Sequence, residues 1–399
     1  MNPPPRYAAL ERAAWALVCI FVFSIPWEKS VWIGSFGTLS HGIGLLAFTV
    51  SLVTVALRRS LRRPNLALLW AALFVAWSAA TWFWSLDRPA TVGRAITFTE
   101  LLAMTFLIWE LCRGPARQTQ LLSAYVFGAV AASANAIWRY AEGQQTYYRR
   151  YAAAGFDPND FGLILAISIP MALYLAMKSE RWLRWSFRVA ALVIVCALLL
   201  TASRTALLAA YCAFGFSIWT WRSGGVRHRI TSVALLLVLA LGMVRLAPAP
   251  SRARLATLPT ELTRGTLHNR TLIWKSGLKV LKQHPLVGVG AGAYPEAVRP
   301  WLGTPGVPGH HYVAHNTFLS VLVESGAVGF AIYALLLGTV AVFILMMPAT
   351  ERALWAVTLA VWAVGVSTLT WEQYKPGWLI LALAMTEWAR TYWREHVKP

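Results

Sequence analysis

What most limits the folds open to this chain is a succession of apolar runs, many of them close to the length of a bilayer crossing. Residues 39 to 57, "LSHGIGLLAFTVSLVTVAL", and residues 189 to 201, "VAALVIVCALLLT", contain no Asp, Glu, Lys or Arg. They lack the alternation of a barrel strand, so in lipid they can satisfy their backbone only as helices. With 58% of residues hydrophobic and 13% charged, a soluble core is excluded. Segments of about 18 to 22 apolar residues fall near 13–26, 38–57, 66–84, 94–112, 120–139, 160–177, 185–202, 204–221, 230–247, 315–346, 352–370 and 376–393. The expected fold class is an all-α polytopic membrane protein with about 12 transmembrane helices. The first segment lacks a small-residue cleavage site and reads as a retained helix.

Lys and Arg in the connections set the orientation. A cytoplasmic N terminus gives that side 19 basic residues, among them the "RRSLRR" run, against 5 in the short connections of the far side. Both termini are therefore expected in the cytoplasm. The chain divides into helices 1 to 9 (1–247), a far-side loop with a short amphipathic helix (248–314), and helices 10 to 12 with a cytoplasmic tail (315–399). The four cysteines lie in or at the ends of apolar spans and suggest neither disulfides nor a metal site. A net charge of +20 is expected to face anionic membrane lipids rather than nucleic acid, since no nucleic-acid motif accompanies it.

The remaining 12 basic residues sit in two longer far-side loops, nine of them between Arg245 and Arg299, where Glu261 and Glu296 are the only acids. This excess suits an anionic ligand or the lipid headgroups equally. Within it, "HNRTLIWKSGLKVLKQHP" has a capping Asn269 and a terminating Pro285. At helical period Lys275, Lys279 and Lys282 share one face, and Ile273, Trp274, Gly277 and Leu281 the other. Arg270 falls on the apolar side, where a packed guanidinium requires an anionic partner. Gly288, Gly290 and Gly292 alternate without the strand–loop–helix setting of a nucleotide site, so close backbone approach in a turn is expected.

Arg204 is the only charge between Val189 and Phe216. As one helix that run would reach about 42 Å, beyond a hydrocarbon core of about 30 Å. Two helices joined by a tight far-side turn at "TASRT" are expected instead, with Arg204 at the membrane boundary. A cation there is either functional or snorkels to phosphates.

"HHYVAHNTFLSVLVESG" (310–326) holds three of the eight histidines. His311 and His315 have metal-ligand spacing, but a third ligand is wanting: His310 points elsewhere and Glu324 lies two turns deeper. No metal is expected. His315 instead stands at the entrance of a membrane helix, with Asn316 beside it, at the depth of Arg204. A neutral imidazole suits a general base, and two guanidiniums suit a diphosphate. Together they support transfer from a membrane-anchored, diphosphate-linked donor onto a hydroxyl. A transporter for the same lipid would show repeated halves and mid-bilayer ionisable residues; no convincing repeat is present, although Glu100, Glu110 and Glu387 keep that rival open.

Four segments, "GFDPNDFGLILA", "LLLTASRTALLA", "NRTLIWKSGLKVLKQHPLVGVGAGAY" and "HNTFLSVLVESGAVG", resemble in order and spacing the bacterial O-antigen ligase and polymerase superfamily. The resemblance covers about the second half of the chain. It implies a GT-C-like membrane transferase with a periplasmic active site and a large periplasmic loop between helices 9 and 10, in the inner membrane of a Gram-negative cell. It implies undecaprenyl diphosphate-linked O-antigen as donor, lipid A-core oligosaccharide as acceptor, inversion at the anomeric centre, and no metal or other cofactor. Arg204 and Arg270 would then bind the donor diphosphate and His315 would activate the acceptor. Asn159 and Asp160 would shape the donor site, and Asn316, His311 and His310 would be secondary. Ligases, O-antigen polymerases and protein O-oligosaccharyltransferases share these motifs; the large basic loop favours a ligase.

Overall fold

The computed structural model describes residues 8–58, 61–146, 150–216, 225–227, 229–230, 233–234, 237, 241, 270–302 and 312–396. In chain order these form α1 (Ala8–Ser24), α2 (Leu39–Arg58), α3 (Leu66–Ala80), α4 (Arg88–Leu111), α5 (Pro115–Ala141), α6 (Pro158–Lys178), α7 (Arg181–Leu200), α8 (Arg204–Ala213), α9 (Arg270–Gln283), α10 (Tyr294–Val298), α11 (Thr317–Leu345), α12 (Ala349–Val366) and α13 (Lys375–His396). Nine helices among the described residues are long and apolar enough to cross a membrane: α1 to α7, α11 and α12. Of the three other expected spans, α13 has the length but is less apolar. The eighth is described only as far as Phe216, and most of the ninth lies outside the described residues.

Local sequence sets the helix starts. Asn65, Asp87, Asp157, Ser203 and Asn316 each cap a helix by accepting a backbone N–H, and Pro115 and Pro158 occupy first turns, where a missing N–H costs nothing. The expected break in the long apolar run is present. α7 ends at Leu200, Ala202 takes a left-handed φ of 51°, and Ser203 caps α8. α7 and α8 both pack on α6, the central helix, which also meets α5 and α12 and is buried along 83% of its span.

α11 is broken at Gly326 (φ 67°, ψ −174°), about 14 Å along the helix at 1.5 Å per residue. Segment 285–290 threads into the break. The N–H groups of Ala327 and Val328 donate to the carbonyls of Pro285 (2.9 Å) and Leu286 (3.1 Å), while Val289 and Gly290 donate back to the carbonyls of Val323 (3.2 Å) and Glu324 (2.9 Å). Helix-end groups that a membrane interior cannot solvate are thereby satisfied. The same segment reaches the connection between α3 and α4 through Leu86 N–H to the Val289 carbonyl and Trp84 Nε1 to the Val287 carbonyl. The close approach expected of the alternating glycines is thus observed, at Gly288 against the Glu324 backbone.

A Cβ on Gly326 would meet the Leu286 carbonyl, and the residue has positive φ. Gly326→Ala should therefore cost about 1–3 kcal/mol in backbone strain beyond the displacement of the loop. Gly338, in the same helix, has nothing within 4 Å of such a Cβ, so Gly338→Ala should change stability by no more than about 0.5–1 kcal/mol. Thermal unfolding of both variants in detergent checks the contrast: G326A should melt clearly lower, G338A at or above the parent.

Candidate active site

His315 sits immediately ahead of the α11 cap in a left-handed conformation (φ 46°), which for a side-chain-bearing residue persists only where the surroundings enforce it. Both neighbours are pinned. The Ala314 carbonyl accepts from Trp274 Nε1 (2.8 Å), and the Asn316 side chain accepts from Leu319 N–H (3.0 Å). Thr317 Oγ1 donates to the Leu369 carbonyl (2.9 Å) and accepts from Trp371 N–H (2.7 Å). His315 borders a cavity of about 270 Å³ together with Asp157, Asn159, Asp160, Tyr294 and Glu324. Burial and the neighbouring Arg270 guanidinium push its basicity down from 6.5 to about 4, with Asp157 opposing them. The ring is therefore neutral at neutral pH.

Arg270 opens α9 on the face that buries Ile273, Ser276 and Gly277, while Lys275, Lys279 and Lys282 are exposed, as the periodicity predicts. Burial lowers its pKa and Asp157 raises it. Its expected cap, Asn269, lies outside the described residues, as do His310 and His311. Arg204 opens α8 and is half-buried. Its neighbour Thr205 shares a 2.8 Å hydrogen bond with Thr368, at the start of the loop whose Leu369 carbonyl holds Thr317. Arg204 thus stands at the same end of the bundle as His315. Neither arginine lines the cavity itself.

Asn159 accepts from Arg150 (2.8 Å), which also donates to the Thr201 carbonyl (2.7 Å), tying the "PND" motif to the turn before α8. Asp160 accepts from Trp371 Nε1 (2.8 Å) and the Tyr374 hydroxyl (3.2 Å), with Lys29 Nζ 4.0 Å away. Asn316 acts as a helix cap. No group of three or more His, Cys, Asp or Glu side chains suited to a metal occurs among the described residues.

The O-antigen ligase family model matches residues 189–334, a stretch containing Arg204, Arg270, His315 and Glu324. Over these residues, somewhat more than a third of its length, the chain is similar to the O-antigen ligase family. It is also similar to the exopolysaccharide production protein ExoQ of Rhizobium meliloti (strain 1021), with 39% identity over 83 residues. That match covers 18% of this chain and 18% of ExoQ.

Two members of a charge cluster beneath His315, Arg94 and Glu372, lie outside the matched residues, and sequence reasoning did not bring them to the site. Arg94 of α4 is ion-paired with Glu372, from the loop between α12 and α13, and lies 3.9 Å from Glu324 of α11. Glu324 Oε2 accepts from Gly292 N–H (2.8 Å), and Ser320 Oγ donates to Glu372 (3.3 Å). Arg94 and Glu324 both line the cavity. The available signal was an ionisable residue inside an apolar span. Arg94 had the look of a connection charge because α4 begins at Arg88, earlier than the apolar run. Asp157, the residue just before the "PND" motif, was not singled out, although its charge acts on both His315 and Arg270.

The charges around His315 predict its titration. The imidazole should protonate near pH 4. Arg270→Gln removes a cause that lowers its pKa and should move the midpoint up towards 6.5; Asp157→Asn removes the cause that raises it and should move the midpoint lower still. Histidine-labelled NMR across pH 3.5 to 7 reads all three.

Proposed function

We propose that this protein is an O-antigen ligase that transfers a glycan from undecaprenyl diphosphate to the lipid A-core oligosaccharide, on the periplasmic face of the inner membrane with both termini in the cytoplasm. The observation that carries this reading is a neutral, conformationally constrained His315 beside Arg270 at the border of a polar cavity. His315 takes the proton of the acceptor hydroxyl. The hydroxyl oxygen attacks the anomeric carbon from the side opposite the diphosphate, the bond from that carbon to the diphosphate oxygen breaks, and undecaprenyl diphosphate leaves with the electron pair. The product has inverted configuration.

Arg270 and Arg204 bind the diphosphate and stabilise the charge that develops on it, through charge-assisted hydrogen bonds. Donor binding also bears on the base. A diphosphate beside Arg270 offsets the positive charge that keeps His315 weakly basic, so the imidazole becomes a stronger base when donor is present. Asn159 and Asp160 support the site through Arg150 and through Trp371 and Tyr374. No step calls for a metal or other cofactor.

A second reading, polymerisation of lipid-linked repeat units, is favoured by the similarity to a protein named for exopolysaccharide production. The two separate in one assay. Purified protein with undecaprenyl diphosphate-linked glycan should modify added lipid A-core without added metal; growth of the lipid-linked glycan with untouched core would establish the polymerase instead. His315→Ala should lower transfer by about 10²–10⁴-fold while donor binding survives. Arg204→Ala and Arg270→Ala should each weaken donor binding by about 10–100-fold, the worth of a hydrogen bond to a charged group.

The pH profile provides an independent check. kcat/KM should hold from pH 7 down to about 5 and fall with a midpoint near 4, the value for the free enzyme. The acid limb of kcat should lie higher, since the bound diphosphate raises His315.

A further inference from the structure

The cavity beside His315 is lined by three carboxylates, Asp157, Asp160 and Glu324, and by one guanidinium, Arg94, already engaged by Glu324 and Glu372. Even with Lys29 4.0 Å from Asp160 and Arg94 shared between Glu324 and Glu372, carboxylates outnumber cations there, so the lining disfavours an anion. The diphosphate therefore belongs with Arg270 and Arg204, outside the cavity, and the cavity receives a different part of the substrate. Its volume of about 270 Å³ equals that of roughly nine waters at about 30 Å³ each, enough for one sugar ring.

The lining has the character such a guest requires. Carboxylates are acceptors with spare lone pairs for hydroxyl or ammonium donors. Asp160 and Glu324 are oriented by protein N–H and O–H groups, so their positions are set before a ligand arrives. Thr370 also lines the cavity, and its hydroxyl oxygen is buried with no hydrogen-bond partner among the described residues. A buried hydroxyl without a partner is costly unless a ligand or water completes it.

We infer that this cavity holds a single pyranose without an acid group, neutral or amino-substituted, next to the reacting bond, and that Asp160 and Glu324 exclude sugars bearing a carboxylate. The inference rests on the transfer reaction proposed above for the choice of a sugar as guest. Its selectivity follows from like-charge repulsion in a space too small for the two charges to separate.

Binding of free methyl glycosides tests it without donor or turnover, so its outcome is separate from that of the transfer assay. Methyl glucoside, its 2-amino analogue and methyl glucuronide share one ring, and each of the latter two differs from the first at a single carbon. Titrated at millimolar concentration into the detergent-solubilised full chain and followed by saturation-transfer NMR, the first two should bind and the glucuronide should bind at least about tenfold more weakly. In Asp160→Asn and Glu324→Gln, which keep an acceptor oxygen and remove a charge, that gap should narrow to about threefold or less. Equal binding of glucoside and glucuronide by the parent protein, binding of none of the three, or a gap unchanged in both variants would overturn the inference.

Discussion

The interior of this protein depends on one exchange of backbone hydrogen bonds, between the broken helix α11 and segment 285–290. A helix interrupted inside a bundle exposes carbonyls and N–H groups that neither lipid nor an apolar core can satisfy. Here the loop supplies both sets of partners, donating to Val323 and Glu324 and accepting from Ala327 and Val328. The consequence reaches the site directly. The repair fixes the loop that carries Gly292, whose N–H orients Glu324, and it brings Tyr294 to the cavity with its hydroxyl on the Ile273 carbonyl of α9. The contacts that repair the helix also position the site.

Electrostatics divide that site into two compartments. Outside the cavity lining stand Arg270 and Arg204, which in the proposed reaction hold the diphosphate. Inside, Arg94 is absorbed by Glu324 and Glu372, leaving acceptors that suit hydroxyls. His315 stands at the boundary, its charge state set by Arg270 on one side and Asp157 on the other. In the proposed reaction, an anionic donor beside Arg270 would raise the basicity of that imidazole, so base strength and donor occupancy would be linked.

Much of this was legible in the sequence, because its physics is local. Lone Arg204 in an apolar run too long for one helix predicts a turn at "TASRT" (201–205), and the 3.6-residue period separates the lysine face of α9 from the face of Ile273 and Gly277. Other features were not legible, because they depend on which distant segment fills a gap. "VESGAVG" looks like a continuous apolar helix; only the arrival of Pro285 and Leu286 turns Gly326 into a break. Arg94 and Glu372 lie 278 residues apart and are joined by packing alone. Asn316, a candidate by its position beside His315, is explained by helix capping.

The left-handed backbone at His315 sets stability against chemistry at one position. Asn and Gly adopt that conformation more readily than His, so either would relax the turn while removing the imidazole. Selection for a sturdier fold alone would draw residue 315 towards Asn or Gly, and only a demand for proton transfer would hold it at His. Any effort to harden this protein by stability screening would therefore tend to erase the proposed base at an early step, with the helices around it intact.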